Sequence, residues 1–215
     1  MKHHSPEAEG PRFPDSTIRR LSLYLRFLQE ADRTGAETIS SSDLATRGGT
    51  TSAQVRKDLS LFGSFGKRGL GYSVPELLRE LHQILGVDRP WRVGLIGAGK
   101  LGSALSSYED FRRRGFEIRA VFDSDPQKIG KRWGEVHVIA DADLEKVLER
   151  ESIEIVMIAV PAGAAQALAD RVVASGVHAI LNFAPIRLRT PDDVALRNVD
   201  MAVEMEGLSF ALTNR

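Results

Sequence analysis

A chain of 215 residues, 42% hydrophobic and 27% charged with 29 basic and 29 acidic groups, has room for one large domain or two modest ones with cores of their own. The absence of cysteine excludes a disulfide scaffold, a thiolate zinc site and a sensor built on thiol oxidation. No apolar run approaches the roughly 18 residues a membrane span needs, and the Met-Lys start lacks the apolar stretch of a signal peptide, so no membrane partner and a cytoplasmic location are expected.

Residues 1–14 mix Pro, Gly, His and Glu without periodicity and read as a disordered leader. The adjacent His3 and His4 do not by themselves make a metal site, and no metal is expected. A helix is predicted from Thr17 to about Arg33, capped by Asp15 or Ser16 and ended by Gly35, with Ile18, Leu21, Leu25 and Leu28 along one face. A short helix over Ser41–Arg47 follows, with Ser40 and Asp43 at capping-box spacing. After the turn at Gly48-Gly49, Thr51-Ser52-Ala53-Gln54 supplies a second capping box for a helix to Phe62. Its inner face is Val55, Leu59 and Phe62; its outer face is Ser52, Gln54, Arg56, Lys57 and Ser60. Residues 64–74 alternate glycine with aromatic and basic residues, the composition of a twisted hairpin with a basic tip. Pro75 then opens a helix at its favoured first position, with Leu77, Leu78, Leu81, Ile84 and Leu85 inward and Gly86 as its stop. The first domain is placed at 15–86, with a linker at 87–90.

Helix, glycine turn, helix and basic hairpin together make the plan of a winged helix-turn-helix, a duplex-DNA reader. A recognition helix needs an apolar inner face and polar or basic residues early on its outer face, where it enters the major groove. Ser52, Gln54, Arg56 and Lys57 meet that requirement; Arg56 suits bidentate contact with guanine, and Lys57 guanine or a phosphate. Lys67 and Arg68 read as wing residues meeting backbone or minor groove. Between 44 and 79 six basic residues face two acidic ones, Asp58 and Glu76, on an otherwise neutral chain. A helical docking module with a solvated basic face satisfies the same pattern, and that alternative stays open on these residues alone.

From Trp91 short β-branched runs alternate with helices. Strands are predicted at Arg92–Ile96, Glu117–Phe122, His137–Ile139, Ile153–Val160 and Val177–Phe183, with helices at Leu101 to about Tyr108, Leu144–Glu149 and Ala162–Ser175. That order predicts an α/β domain over 91–199, a Rossmann-type doubly wound parallel sheet.

The strand Val93-Gly94-Leu95-Ile96 runs into Gly97-Ala98-Gly99-Lys100-Leu101-Gly102, a G-x-G-x-x-G that closes a strand and opens a helix. A second strand ends in Asp123, 21 residues beyond Gly102, where an acidic residue can accept from ribose hydroxyls. Gly97 permits the tight turn, Gly99 the approach of a pyrophosphate, and Gly102 the packing of helix on strand. Ala98, Lys100 and Leu101 complete the loop around the anion. The charge of Asp123 opposes a 2′-phosphate, which favours NAD+ and NADH over NADP(H). A P-loop is excluded, because Leu101 stands where magnesium needs Ser or Thr and Gly94 lies inside the strand. A CoA-binding Rossmann domain is harder to exclude, although its 3′-phosphate fits Asp123 less well.

An NAD-dependent oxidoreductase is the rival class, and it needs an acid or base at the nicotinamide. No Tyr-x-x-x-Lys occurs, since Tyr24, Tyr72 and Tyr108 are followed four residues on by Leu28, Glu76 and Arg112. His82, His137 and His178 sit in predicted helix or strand, so no catalytic residue is assigned and the chain is not expected to be an enzyme. Arg112-Arg113-Arg114 reads as a solvated face, and Asn182-Phe183 lies at a strand end where such sheets hold ligands.

With both halves in view, the chain resembles the Rex family of redox-sensing transcriptional repressors. The matching stretches are SSDLATRGGTTSAQVRKDLSLFGSFGKRGLGYSV (41–74), GAGKLGSAL (97–105), VFDSDPQKIG (121–130), LNFAPIRL (181–188) and NVDMAVEMEGLSF (198–210), within about 17–212. The resemblance implies a homodimer that binds an inverted-repeat operator when NAD+-bound or cofactor-free and is released by NADH, controlling respiratory or fermentative genes. It also implies that a C-terminal helix, here within 200–215, is exchanged across the dimer; Met201, Met205, Leu208 and Leu212 give it an apolar stripe, which an ordinary terminal helix would also have. By the same resemblance Arg26, Tyr108 and Asp200 form a switch, Asp200 of one subunit pairing with Arg26 of the other in the DNA-competent form.

Overall fold

In a computed structural model of the chain, which describes residues 13–66 and 69–214, the contacts separate Met1–Arg89 from Pro90–Arg215. In the first unit, α1 (Asp15–Arg33) carries the predicted apolar face, with Leu21, Leu25 and Leu28 buried. Its entry differs from expectation. The chain arrives through Pro14 (φ −60°, ψ 136°), which makes Asp15 the first helical residue rather than a cap, and no side chain caps the helix. Phe13 lies with its ring centroid 4.2 Å from that of Phe62, so residues 13 and 14, counted above as leader, are built into this unit; residues 1–12 lie outside the described ones.

The capping box of α2 (Ser41–Gly48) is complete: Asp43 N donates to Ser40 Oγ at 3.0 Å and Ser40 N to Asp43 Oδ2 at 3.1 Å. Gly49, at φ +60°, provides the left-handed exit that turns the chain into α3 (Ser52–Ser60). Only half of the second expected box forms. Gln54 N donates to Thr51 Oγ1 at 3.1 Å, but the Gln54 side chain turns toward Asp58.

The wing also differs from the expected hairpin. Strand β2 (Tyr72–Ser73) pairs antiparallel with β1 (Thr38–Ile39), upstream of α2, not with the opposite arm of the wing. Gly66 and Gly71 explain this: both have positive φ, and a Cβ on either would lie 2.5 Å from a carbonyl oxygen, that of Gly71 or of Ile39. Among the described residues the arms meet through this close approach of Gly66 and Gly71, without a ladder between them. α4 (Val74–Ile84) follows with Pro75 at its second position. One core, from Leu21, Tyr24 and Leu28 through Leu44, Val55 and Leu59 to Leu77 and Leu81, ties the elements together, and Val87 of the expected linker packs against it.

The second unit holds a seven-stranded sheet in the order β5-β6-β4-β3-β7-β8-β9. Strands β3 (Trp91–Ile96), β4 (Phe116–Asp123), β6 (Val136–Ala140), β7 (Ile155–Ile158), β8 (Ala179–Asn182) and β9 (Ala195–Asn198) run parallel. The edge strand β5 (Arg132–Trp133) is antiparallel to β6. Strand order reverses about β3, which is the doubly wound topology with its crevice at the carboxyl ends of β3 and β7. Helices α5 (Lys100–Ser106), α6 (Glu109–Arg113), α7 (Leu144–Arg150) and α8 (Ala162–Ala174) connect the strands. The single helix expected between β3 and β4 is interrupted at Ser107-Tyr108. Beyond β9, α9 (Met201–Thr213) carries no buried residue. No helix among the described residues is long and apolar enough to cross a membrane.

Candidate nucleotide cradle and nucleic-acid interface

The turn leaving β3 shows why three glycines are needed there. Gly97 has φ +105°, and a Cβ on it would collide with the Ala159 carbonyl; a Cβ on Gly102 would collide with the Gly97 carbonyl. Both positions are closed to any side chain. Gly99 is the opposite case, with nothing within 4 Å of where its Cβ would stand. It caps α5, whose first-turn N–H groups, those of Lys100 and Leu101 among them, have no helical carbonyl to serve. A glycine facing open space at a helix start is where a pyrophosphate can meet backbone N–H groups, and this cradle fits a dinucleotide.

Asp123 ends β4 beside the loop. Its Oδ2 accepts from Ala98 N at 2.8 Å and from Lys128 Nζ at 3.0 Å, and its Oδ1 from Asp125 N at 2.9 Å. Burial alone would push this carboxyl up, but the donors Asp125 N, Lys128 and Ala98 N, with the charge of Lys128, hold it below the ordinary carboxylate range. Asp123 is thus ionised and acceptor-only, the state needed to receive ribose hydroxyls. Lys128 was not singled out in the sequence, although the Asp125-Pro126 turn brings it back within reach of Asp123, five residues earlier.

The expected switch residues are divided between the two units. Arg26 is exposed on α1 of the first unit. Tyr108 precedes α6 in the second unit, 55% exposed, with its ring edge-on to Phe111 at 5.0 Å. Asp200 caps α9: its Oδ1 accepts from Ala202 N at 2.9 Å and Val203 N at 3.4 Å. On α9 not only Met201, Met205, Leu208 and Leu212 but also Val203 and Phe210 are more than half exposed, so the apolar surface runs round the helix instead of along one stripe. The arginine run is paired residue by residue, Arg112 with Glu135, Arg113 with Glu109 and Arg114 with Asp110. Asn182 is fully buried and satisfied by Ala184, Ile186 and Asn198, which gives it a role in the fold.

On α3, Arg56, Lys57 and Ser60 are exposed and Ser52 is half-buried. Arg56 Nη1 donates to Ser41 Oγ at 3.0 Å, which links α3 to the start of α2. Gln54, expected on the outer face, instead donates its amide to Asp58 Oδ1 at 2.8 Å. Asp58, which from the sequence enters only the charge balance, is 1% exposed. Arg20 grips it through Nε at 2.6 Å and Nη2 at 2.7 Å, and the Tyr24 hydroxyl adds a bond at 3.0 Å. Burial would raise this carboxyl, but the hydrogen bonds from Arg20, Gln54 and Tyr24 and the charge of Arg20 hold it low. Internal neutralisation of Asp58 leaves the outward charges of α3 entirely basic. Lys67 and Arg68 lie outside the described residues.

Comparison with known proteins bears on both halves. A family model described as "Putative DNA-binding protein N-terminus" matches residues 12–60, and one described as "CoA binding domain" matches 88–186. The "Redox-sensing transcriptional repressor Rex" of Desulforamulus reducens is 50% identical over 94% of this chain and 96% of its own. That of Carboxydothermus hydrogenoformans is 50% identical over 94% and 97%. Among solved structures, RSP in complex with NAD+ and operator DNA superposes with a TM-score of 0.91 at 38% identity, covering 95% of this chain and 94% of that one. RSP in complex with NADH gives 0.85 at 36% identity, covering 95% and 96%. Similarity of this extent, spanning the helix-turn-helix, the glycine turn and the terminal helix, means that the chain belongs to the Rex family of redox-sensing transcriptional repressors.

Proposed function

We infer that this chain is a transcriptional repressor that senses the NADH/NAD+ ratio: it binds an inverted-repeat operator when NAD+-bound or cofactor-free and leaves it on binding NADH. The observation that carries the reading is identity of about one half to named repressors over nearly the whole chain, together with family structures holding operator DNA with NAD+ and holding NADH. The dinucleotide is held and not turned over, so no residue is given a catalytic role. A repressor works where the genome is, which puts this one in the cytoplasm.

In this reading Arg56 reads a base edge, Ser52 and Lys57 contact base or phosphate, and Lys67 and Arg68 meet the backbone or minor groove. Gln54 contributes its carbonyl oxygen and the amide N–H that Asp58 does not take. At the other site Gly97, Gly99 and Gly102 shape the turn, Ala98, Lys100 and Leu101 surround the pyrophosphate, and Asp123 takes the adenosine ribose. When bound, the nicotinamide carries a positive charge in one redox state and none in the other. Arg26, Tyr108 and Asp200 convert that difference into a change of subunit arrangement. Emptying an operator, from 99:1 to 1:99, requires about 5.5 kcal/mol of differential affinity for the two arrangements. The apolar girth of α9, exposed on every side, supports a homodimer in which a second copy covers it.

A gel shift with an inverted-repeat duplex, titrated with NADH at fixed NAD+, tests the proposal. Loss of the shifted band as NADH rises, with a salt-dependent affinity in its absence, is the expected result. Equal occupancy with either redox form overturns the sensing reading, and no preference for any operator over random duplex overturns the repressor reading.

A further inference from the structure

Lys128 stands outside the glycine fingerprint, yet its ammonium is one of three donors on the ribose carboxylate. Its position is fixed from the backbone outward. Gln127 N donates to Asp125 Oδ1 at 2.9 Å, Lys128 N to Asp125 O at 2.9 Å, and Lys131 N to Lys128 O at 3.0 Å, which winds the segment after β4 into a turn. From that turn Nζ reaches Asp123 Oδ2 at 3.0 Å and Asp125 Oδ2 at 3.8 Å. Asp123 is only 11% exposed and Lys128 34%, so water screens this pair less than it would a surface pair.

A dinucleotide with a free adenosine ribose needs an acceptor at this point, and a 2′-phosphorylated one needs a cation. The chain holds both groups within one hydrogen bond of each other. We propose that Lys128 determines dinucleotide specificity: its ammonium partly neutralises Asp123 and forms a latent 2′-phosphate site that the carboxylate alone keeps closed. The inference rests on the dinucleotide reading of the second unit. With the carboxylate present, the ammonium is satisfied and a phosphate meets net repulsion. Without it, the ammonium keeps only the longer contact to Asp125 Oδ2 at 3.8 Å and is left under-paired at the spot where a 2′-substituent sits, so a phosphate is its natural partner.

The test measures NADH and NADPH binding to the full chain by nicotinamide fluorescence, with thermal unfolding of each variant as the control for folding. The unaltered chain binds NADH more tightly. Asp123→Ser weakens NADH and tightens NADPH by about tenfold or more, and adding Lys128→Met to it abolishes that gain. Lys128→Met alone leaves Asp123 unscreened and widens the preference for NADH over NADPH by about threefold or more, while Lys128→Arg preserves it. Equal NADPH affinity for Asp123→Ser with and without Lys128→Met overturns the proposal. So does a Lys128→Met variant whose preference matches the unaltered chain, and this arm decides the matter if Asp123→Ser fails to fold. Failure of the unaltered chain to bind either dinucleotide would instead refute the reading on which the proposal stands, and the proposal with it.

Discussion

Asp58→Ala, with Arg20 retained, is the most demanding perturbation of the DNA-reading unit. It removes the acceptor of four hydrogen bonds, two from Arg20 and one each from Tyr24 and Gln54. It also leaves a guanidinium that is only 24% exposed without its counter-ion. Breaking a buried pair from one side costs about 3–5 kcal/mol. In a unit of this size about 4–8 °C of melting temperature goes with each kcal/mol. Asp58→Ala is therefore expected to lower the melting of the first unit by more than about 12 °C, followed by circular dichroism or calorimetry. Replacing the whole cluster with apolar residues of similar shape, Arg20→Met with Tyr24→Phe and Asp58→Leu, should recover most of the loss, within about 1–2 kcal/mol of the native chain. Acid provides the same test without mutation. The Asp58 carboxyl lies below its unfolded value, so its stabilisation is complete above about pH 4 and is lost as pH falls through the lower folded value. An Asp58→Ala chain that melts within about 2 °C of native, or a triple variant no more stable than the single one, would refute the reasoning.

The other predictions concern the cradle, the switch and the terminal helix. Gly99→Ala should leave stability unchanged, because its Cβ meets nothing, yet weaken NADH binding at least about tenfold; Gly102→Ala should destabilise the second unit as well, as paired unfolding and fluorescence titrations would reveal. Asp200→Asn keeps the cap of α9, since Asn and Asp cap equally well, but removes the charge; if Asp200 pairs with Arg26, the NADH concentration that releases operator shifts, and an unmoved release curve removes Asp200 from the switch. Arg56→Ala should cost about 1–3 kcal/mol of operator affinity with little change toward random duplex, measured by competition binding. Phe210→Glu, at a 70% exposed position, should leave α9 helical while sedimentation shifts from twice the 23.6 kDa chain mass toward that mass; an unchanged dimer would show that Phe210 is not in the interface.

The long periodic segments were legible in the sequence because local rules and packing agree there: α1, α2, α4 and α8 and the strands around Leu95 and Met157 sit close to where apolar spacing put them. The glycine turn was legible for a different reason, since each glycine answers a separate steric demand. What escaped depends on partners distant in sequence. Asp58 directly follows two basic residues in the sequence, and its partners Arg20 and Tyr24, 38 and 34 residues away, make it an interior group. Strand β9 is four residues long and exists by virtue of its register with β8. The pairing of the wing strand was not legible because its partner, β1, lies more than 30 residues upstream, while Gly66 and Gly71 bring backbone against backbone. Tyr108 interrupts the helix after the glycine turn without any proline or glycine to announce it.

The bond between Ala98 N and Asp123 joins the glycine loop to the carboxylate proposed to take the ribose, and in that reading both lie at the half of the cofactor that oxidation leaves untouched. Contacts made there favour the two redox forms alike, so in a ratio they cancel. Strengthening or weakening them alters how much total nicotinamide dinucleotide the cell must hold before the protein is loaded, and not the proportion at which it responds. Sensitivity to pool size and sensitivity to redox poise are therefore written in separate parts of the fold, and selection can adjust one while the other stays fixed.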